Sequence, residues 1–235
     1  MKKIKEKCLD VLYPPRCPAC GGILEDKQRS ICPQCESIFH PVSEYYCMKC
    51  GKPVKREEEY CVVCREGGHY FTEGRSIFPY GEIWRQSLVR FKYYGCREYG
   101  DFYAKAMSMY GRRYLERWKP QLIVPVPLHP AKKRMRGFNQ AAYLAERLSC
   151  YTGIPWTDSL VLKIRNTRSQ KKLDALQRRN NLRKAYEVTH KLDDISILVV
   201  DDVYTTGSTM DAMAICLTEA GAQAVYFLTV CAGRL

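Results

Sequence analysis

Apolar and polar positions divide the chain into two parts with different rhythms. From residue 73 onward, apolar residues recur at the spacings of regular elements. Residues 76–80 read as a short strand, residues 82–94 place Ile83, Leu88 and Phe91 at helical spacing, and residues 99–118 form a second helical stretch. The run Leu122-Ile123-Val124-Pro125-Val126-Pro127 is β-rich and is stopped by its prolines, which predicts a strand, then a basic loop, then a helix over about residues 138–152. Ile197-Leu198-Val199-Val200 is unbroken by polar residues, the pattern of a strand buried on both faces. A glycine-containing loop, a helix over about residues 208–220, a stop at Gly221 and a strand over residues 224–230 follow. Strands alternating with helices predict an α/β domain whose parallel sheet is flanked by helices.

Residues 1–72 lack that rhythm and are organised by cysteine. The pairs Cys17/Cys20, Cys32/Cys35, Cys47/Cys50 and Cys61/Cys64 take eight of the 13 cysteines, each pair as Cys-x2-Cys. Gly21 and Gly51 follow directly, where the backbone has to turn tightly under a metal. Cys17-x2-Cys20-x11-Cys32-x2-Cys35 and Cys47-x2-Cys50-x10-Cys61-x2-Cys64 are each a complete four-thiolate set. Four thiolates close a tetrahedral site, so two structural Zn2+ are expected, supporting a segment with too few apolar residues to fold alone. The likeness of the two sets favours sequential pairing. Joining the first pair to the third and the second to the fourth is the alternative, as is iron in place of zinc. His40 and His69 lie near enough to replace a cysteine, but eight cysteines leave no need for either. Cys8, Cys96, Cys150, Cys216 and Cys231 read as small apolar residues. Arg65-Glu66-Gly67-Gly68 is a linker signal, and we divide the chain into a four-cysteine zinc-ribbon module, doubled, over residues 1–72 and the α/β domain over residues 73–235.

Composition narrows the class. The chain is 46% hydrophobic and 27% charged, and no apolar run approaches the ~18 residues of a spanning helix, so a membrane span is not expected. Four lysines within residues 1–7 are not followed by the apolar core of a secretory signal, and a cytoplasmic protein is expected. The formal charge of +13 falls to about +9 once eight thiolates and two divalent ions are counted. Its location matters more, because residues 129–184 carry 14 basic and 3 acidic side chains.

The densest chemistry is the stretch from Ile197 to Thr209, in which a buried strand is expected to end in Asp201-Asp202 and lead through Val203-Tyr204 into Thr205-Thr206-Gly207-Ser208-Thr209. In open α/β sheets, ligands bind at such carboxyl ends of strands. Unpaired amides at a helix N-terminus attract phosphate, the four hydroxyls add donors, and Gly207 allows close approach. Two carboxylates can accept hydrogen bonds from vicinal ribose hydroxyls, directly or with a hard metal ion. As a structural alternative, the acids form a surface turn and the hydroxyls cap a helix.

This order of residues resembles the signature by which type I phosphoribosyltransferases recognise phosphoribosyl pyrophosphate. The resemblance extends to the ComF competence family through the cysteine ribbons, Lys92-Tyr93, Val124-Pro125-Val126-Pro127-Leu128 before Arg136-Gly137-Phe138-Asn139-Gln140, and then Gln170, Leu173, Arg178, Asn181 and Ala185-Tyr186. Tyr186 stands where that family more often has Phe, and some relatives have a single four-cysteine site. The resemblance implies a type I phosphoribosyltransferase fold tied to DNA uptake in transformation, binding phosphoribosyl pyrophosphate with Mg2+. It implies a pyrophosphate loop near Leu128, for which His129, Lys132, Lys133, Arg136 and Arg168 are candidates, and a hood loop around Gln170 to Asn181. No residue stands out as an acid or base for an incoming nucleobase. An enzyme with an unassigned acceptor is therefore one expectation. The other is a non-catalytic protein that keeps the pocket as a ligand sensor and uses its cations, more than one ligand needs, for single-stranded DNA or a helicase partner.

Overall fold

The computed structural model describes residues 14–26, 29–37, 39–42, 45–164 and 185–233. Four parallel strands form the central sheet: β1 (Glu73–Pro79), β2 (Leu122–Pro125), β5 (Ser196–Tyr204) and β6 (Ala224–Ala232), in the order β1-β6-β5-β2. β3 (Val161–Lys163) and β4 (Tyr186–Val188) pair antiparallel in a separate two-stranded sheet. Two four-residue helices, α1 (Pro33–Glu36) and α2 (Val62–Arg65), belong to the ribbons. The others are α3 (Glu82–Tyr93), α4 (Tyr99–Trp118), α5 (Pro130–Arg136), α6 (Gln140–Thr152) and α7 (Ser208–Glu219).

The unbroken apolar run is accounted for by a sheet covered on both faces. Successive strand residues point to opposite sides. Leu198 and Val200 join a cluster with Phe91, Tyr103, Met107, Leu144 and Leu148 of α3, α4 and α6. Ile197 and Val199 join a second cluster with Met213 and Leu217 of α7. Every residue of α7 from Met210 to Leu217 is buried, so this helix is enclosed rather than amphipathic.

Each ribbon sits on a different one of these cores. Cys17, Ala19, Leu24, Cys35 and Phe39 belong to the α3/α4 cluster, where the Phe39 ring lies 4.4 Å from Trp84 and 4.9 Å from Phe102, edge to face. Cys47, Cys50 and Cys64 belong to the α7 cluster. The chain between the ribbons and the first knuckle of the second ribbon bond to the free edge of β1, with Val42 N–H donating to the Ile77 carbonyl and Gly74 N–H to that of Lys49, both at 2.7 Å.

Two expected elements differ. The strand carrying the acids does not end at them: β5 runs on to Tyr204, because β6 goes on pairing with it through Asp201 opposite Thr229 and Tyr204 opposite Ala232. The basic stretch after Pro127 is a helix rather than a loop. Pro130 opens α5, the His129 ring accepts the Ala131 N–H at 3.3 Å, and Gly137 closes it with φ 78°. No helix among the described residues is long and apolar enough to cross a membrane.

Candidate functional site

β2 and β5 are neighbours, so the segments leaving their carboxyl ends open side by side. Pro125 pairs opposite Val200, and Val126 N–H donates to the Val200 carbonyl at 2.9 Å. The segment after β2 carries the basic helix α5, while β5 bears the acids near its end and leads into the hydroxyl-rich loop.

Adjacent on the strand, Asp201 and Asp202 turn to different neighbours. Asp202 is buried, 7% exposed, and its carboxylate pairs with the Lys92 ammonium from the end of α3. Burial works against that ammonium, but the Asp202 and Asp201 carboxylates more than offset it and raise its pKa. Asp201 folds back to accept the Asp202 N–H at 2.8 Å. Burial, then the Asp202 charge, push the Asp201 carboxyl up to about 7. Lys163 and Tyr186, at the end of β3 and the start of β4, are in its field. Burial and Lys132 hold Lys163 below the ordinary lysine value against the pull of Asp201, while burial and the Asp201 charge raise Tyr186. Lys163 Nζ donates to the Tyr186 hydroxyl at 3.4 Å, a bond that a Phe at this position would not accept.

The hydroxyl-rich loop follows. Thr205, Thr206, Ser208 and Thr209 are exposed. Thr206 and Ser208 hydroxyls lie 2.9 Å apart, and Gly207, at φ 86°, starts α7 without a side-chain cap. The first-turn amides of a twelve-residue helix thus open beside a cluster of hydroxyl donors, at the positive end of the helix dipole.

Of the cations expected near the pyrophosphate loop, Lys132, Lys133 and Arg134 are exposed on α5, which buries no residue at all. Arg136 is more fixed. It donates to Gln140 Oε1 at 2.9 Å and to the Tyr93 hydroxyl at 2.7 Å, with its guanidinium 4.8 Å from the Tyr93 ring centre, next to Lys92. His129 is occupied as the cap of α5, and Leu128 lies just before it. Arg168 and the hood positions Gln170, Leu173, Arg178 and Asn181 lie outside the described residues.

The loop rests on a support that the sequence did not reveal. The His69 side chain, 3% exposed, places Nδ1 2.9 Å from Asp211 Oδ2 in the first turn of α7 and Nε2 3.2 Å from the Tyr204 hydroxyl at the end of β5. Tyr70 N–H donates to the other Asp211 oxygen at 2.9 Å. His69 is thus engaged by α7 and β5 rather than by a metal.

The cysteines resolve into the two sequential sets, Cys17/Cys20/Cys32/Cys35 and Cys47/Cys50/Cys61/Cys64, with the sulfurs of each set within 4.8 Å of one another. Cys20 and Cys32 sulfurs are 3.9 Å apart and those of Cys50 and Cys61 3.7 Å. A tetrahedron with Zn–S bonds of about 2.3 Å has edges of about 3.8 Å, so both sets fit structural zinc.

Residues 8–65 match the double zinc ribbon domain and residues 100–234 the phosphoribosyl transferase domain. The chain is 28% identical to competence protein F of Haemophilus influenzae, over 89% of this chain and 93% of that protein. It is 28% identical to competence protein ComFC of Bacillus subtilis, over 83% and 80%, and 28% identical to the DNA utilization protein YhgH of Salmonella typhimurium, over 93% and 97%. A purine phosphoribosyltransferase from Pyrococcus horikoshii aligns over 57% of this chain and 81% of its own at 18% identity, with a TM-score of 0.35, too low to argue from.

Proposed function

The chain belongs to the phosphoribosyl transferase domain family, with a double zinc ribbon ahead of that domain, and from this premise we propose that its site binds phosphoribosyl pyrophosphate in a protein of DNA uptake. One observation carries the reading: the carboxylates of β5, the open N-terminus of α7 and the cations of α5 meet at one end of two paired strands. The 5-phosphate takes the loop Thr205, Thr206, Gly207, Ser208 and Thr209. Asp201 and Asp202 accept the ribose hydroxyls, and Lys92, displaced from Asp202, becomes a cation for the pyrophosphate. Lys132, Lys133 and Arg136 approach it from the other strand end, and Arg168 is a further candidate for the pyrophosphate. Asp201 and Asp202 are also the residues that would hold a Mg2+ brought with the ligand, whose charge would help to neutralise the pyrophosphate. The competence and DNA utilization names of the relatives support placing the protein in DNA uptake.

Calorimetry tests the pocket. Phosphoribosyl pyrophosphate with Mg2+ is expected to bind, and Asp202→Asn to weaken it at least tenfold; unchanged binding by that variant would remove the ribose from this position. Pyrophosphate release in the presence of candidate acceptors separates an enzyme from a binding protein. A second reading is favoured by the exposure of Lys132, Lys133 and Arg134 on α5, within a basic stretch over residues 129–184 that carries more cations than one ligand uses: this face holds single-stranded DNA. Its affinity should then fall steeply with salt, because each phosphate neutralised releases counterions, and a flat dependence would rule it out.

A further inference from the structure

The second ribbon lies directly beneath the hydroxyl-rich loop. Gly207 packs on His69 so closely that a Cβ there would stand 2.4 Å from His69 Cε1, which makes this ring the floor of the loop. Through Asp211 the ring also fixes the first turn of α7, and through Tyr204 the end of β5. The first knuckle of the second ribbon holds the same parts from below. Lys49, between the ligands Cys47 and Cys50, donates to the His69 carbonyl at 3.1 Å, and Lys52, two residues after Cys50, places its Nζ 5.3 Å from the Tyr204 ring centre. The His69 ring is itself clamped against Phe71 at 4.8 Å. The first ribbon packs instead on α3, α4 and Phe78 of β1.

We propose that His69 is a positioning residue that makes the second metal site and the phosphate loop one linked unit, so that a ligand in the loop tightens the hold of Cys47, Cys50, Cys61 and Cys64 on zinc and leaves the first site indifferent. The proposal rests on the reading of the loop as a phosphate site. Its physical basis is reciprocity: if the metal orders the floor on which the loop closes, then filling the loop stabilises the metal-bound arrangement by the same factor. His69 transmits it because a buried ring bonded at both nitrogens and packed on Gly207 has no room to move independently of either side.

The test uses the full zinc-loaded chain in a chelator with a thiol-alkylating reagent, following cysteine labelling by peptide mass spectrometry. Labelling of each cysteine set reports loss of its own metal, so no variant is needed to assign the sites. Phosphoribosyl pyrophosphate with Mg2+ is expected to slow labelling of the second set by about fivefold or more, the lower end of typical coupling between sites, and that of the first by less than twofold. Inorganic phosphate should give a smaller slowing of the same set. In His69→Ala the selective slowing should vanish, and His69→Gln, which keeps one of the two bonds, should restore part of it. Equal slowing of both sets, or of neither, while calorimetry on the same sample registers binding, overturns the coupling alone. Absence of calorimetric binding together with unchanged labelling overturns the loop reading and the coupling together.

Discussion

Gly21 and Gly51 occupy the same place in the two ribbons, directly after the second cysteine of the first knuckle, yet a side chain would meet different things at each. At Gly21, with φ 76°, a Cβ would touch the Arg90 guanidinium at 3.1 Å, the far end of a flexible side chain. At Gly51, with φ 70°, it would strike the Arg75 Cα at 2.8 Å and the Gly74 carbonyl at 2.9 Å, both backbone of β1. The first ribbon rests on the helical layer through side chains such as Phe39, whereas the second presses its backbone against the strand edge and reaches the loop through His69 and Tyr204. Equal cysteine spacing therefore specifies the metal cage and says little about what the cage is attached to.

The widest separation between the ribbons is expected on removing a metal ligand. Cys17→Ser and Cys47→Ser should each lower the zinc content by one ion, measured by native mass spectrometry, with a large loss of stability in both. Only Cys47→Ser should also weaken phosphoribosyl pyrophosphate, by about fivefold or more in calorimetry. Phe39→Ala in the first ribbon should cost about 3–5 kcal/mol in urea unfolding, the usual loss for a buried ring, with ligand affinity within about twofold of the parent. Gly51→Ala should cost about 2–3 kcal/mol, left-handed strain plus a backbone clash, against about 1 kcal/mol for Gly21→Ala. Equal losses at the two glycines would mean that the seating of the second ribbon is not as tight as these contacts require.

A further effect separates the loop from the carboxylates. With Asp201 raised to about 7 from an ordinary 3.8, its proton stabilises the fold fully below pH about 4, and that contribution fades as pH rises through 7. Ligand affinity runs the other way, because only the ionised carboxylate accepts hydrogen bonds without giving one. It should rise by up to about tenfold between pH 6 and 8. Asp201→Asn should flatten both trends, whereas Gly21→Ala should leave both in place, since its position is remote from the acid.

The α/β order was legible in the sequence because it depends on local rhythm, as the apolar run at 197–200 and the helical spacing of residues 82–94 show. The metal sets were legible because four thiolates at short spacing have few other uses. β5 beyond Asp202 was not, since only its partner β6 extends it. α5 escapes a reading by periodicity because four of its seven residues are cationic and none is buried, and its signs are the small ones of His129-Pro130 at the start and Gly137 at the end. Lys92 is singled out by the family resemblance without its role, and nothing in the sequence singles out Asp211. Their partners lie 110 residues away at Asp202 and 142 away at His69, and pairing at such distance leaves no local trace. His69 itself was weighed as a spare metal ligand, since a histidine near cysteines carries no sign of facing an aspartate instead.

The place of β1 in the sheet has a consequence during synthesis. Among the described residues its strand neighbour is β6 alone, with Glu73 opposite Tyr226, so β1 leaves the ribosome about 150 residues before that partner can pair with it. At ordinary elongation rates that interval is about 8–30 s, during which a strand with buried Ile77 and Phe78 is a target for other nascent chains. The ribbons, by contrast, are made before it and can take up metal at once. By bonding to Gly74 and Ile77 along one edge, they shelter the strand on that side while its partner is still being translated.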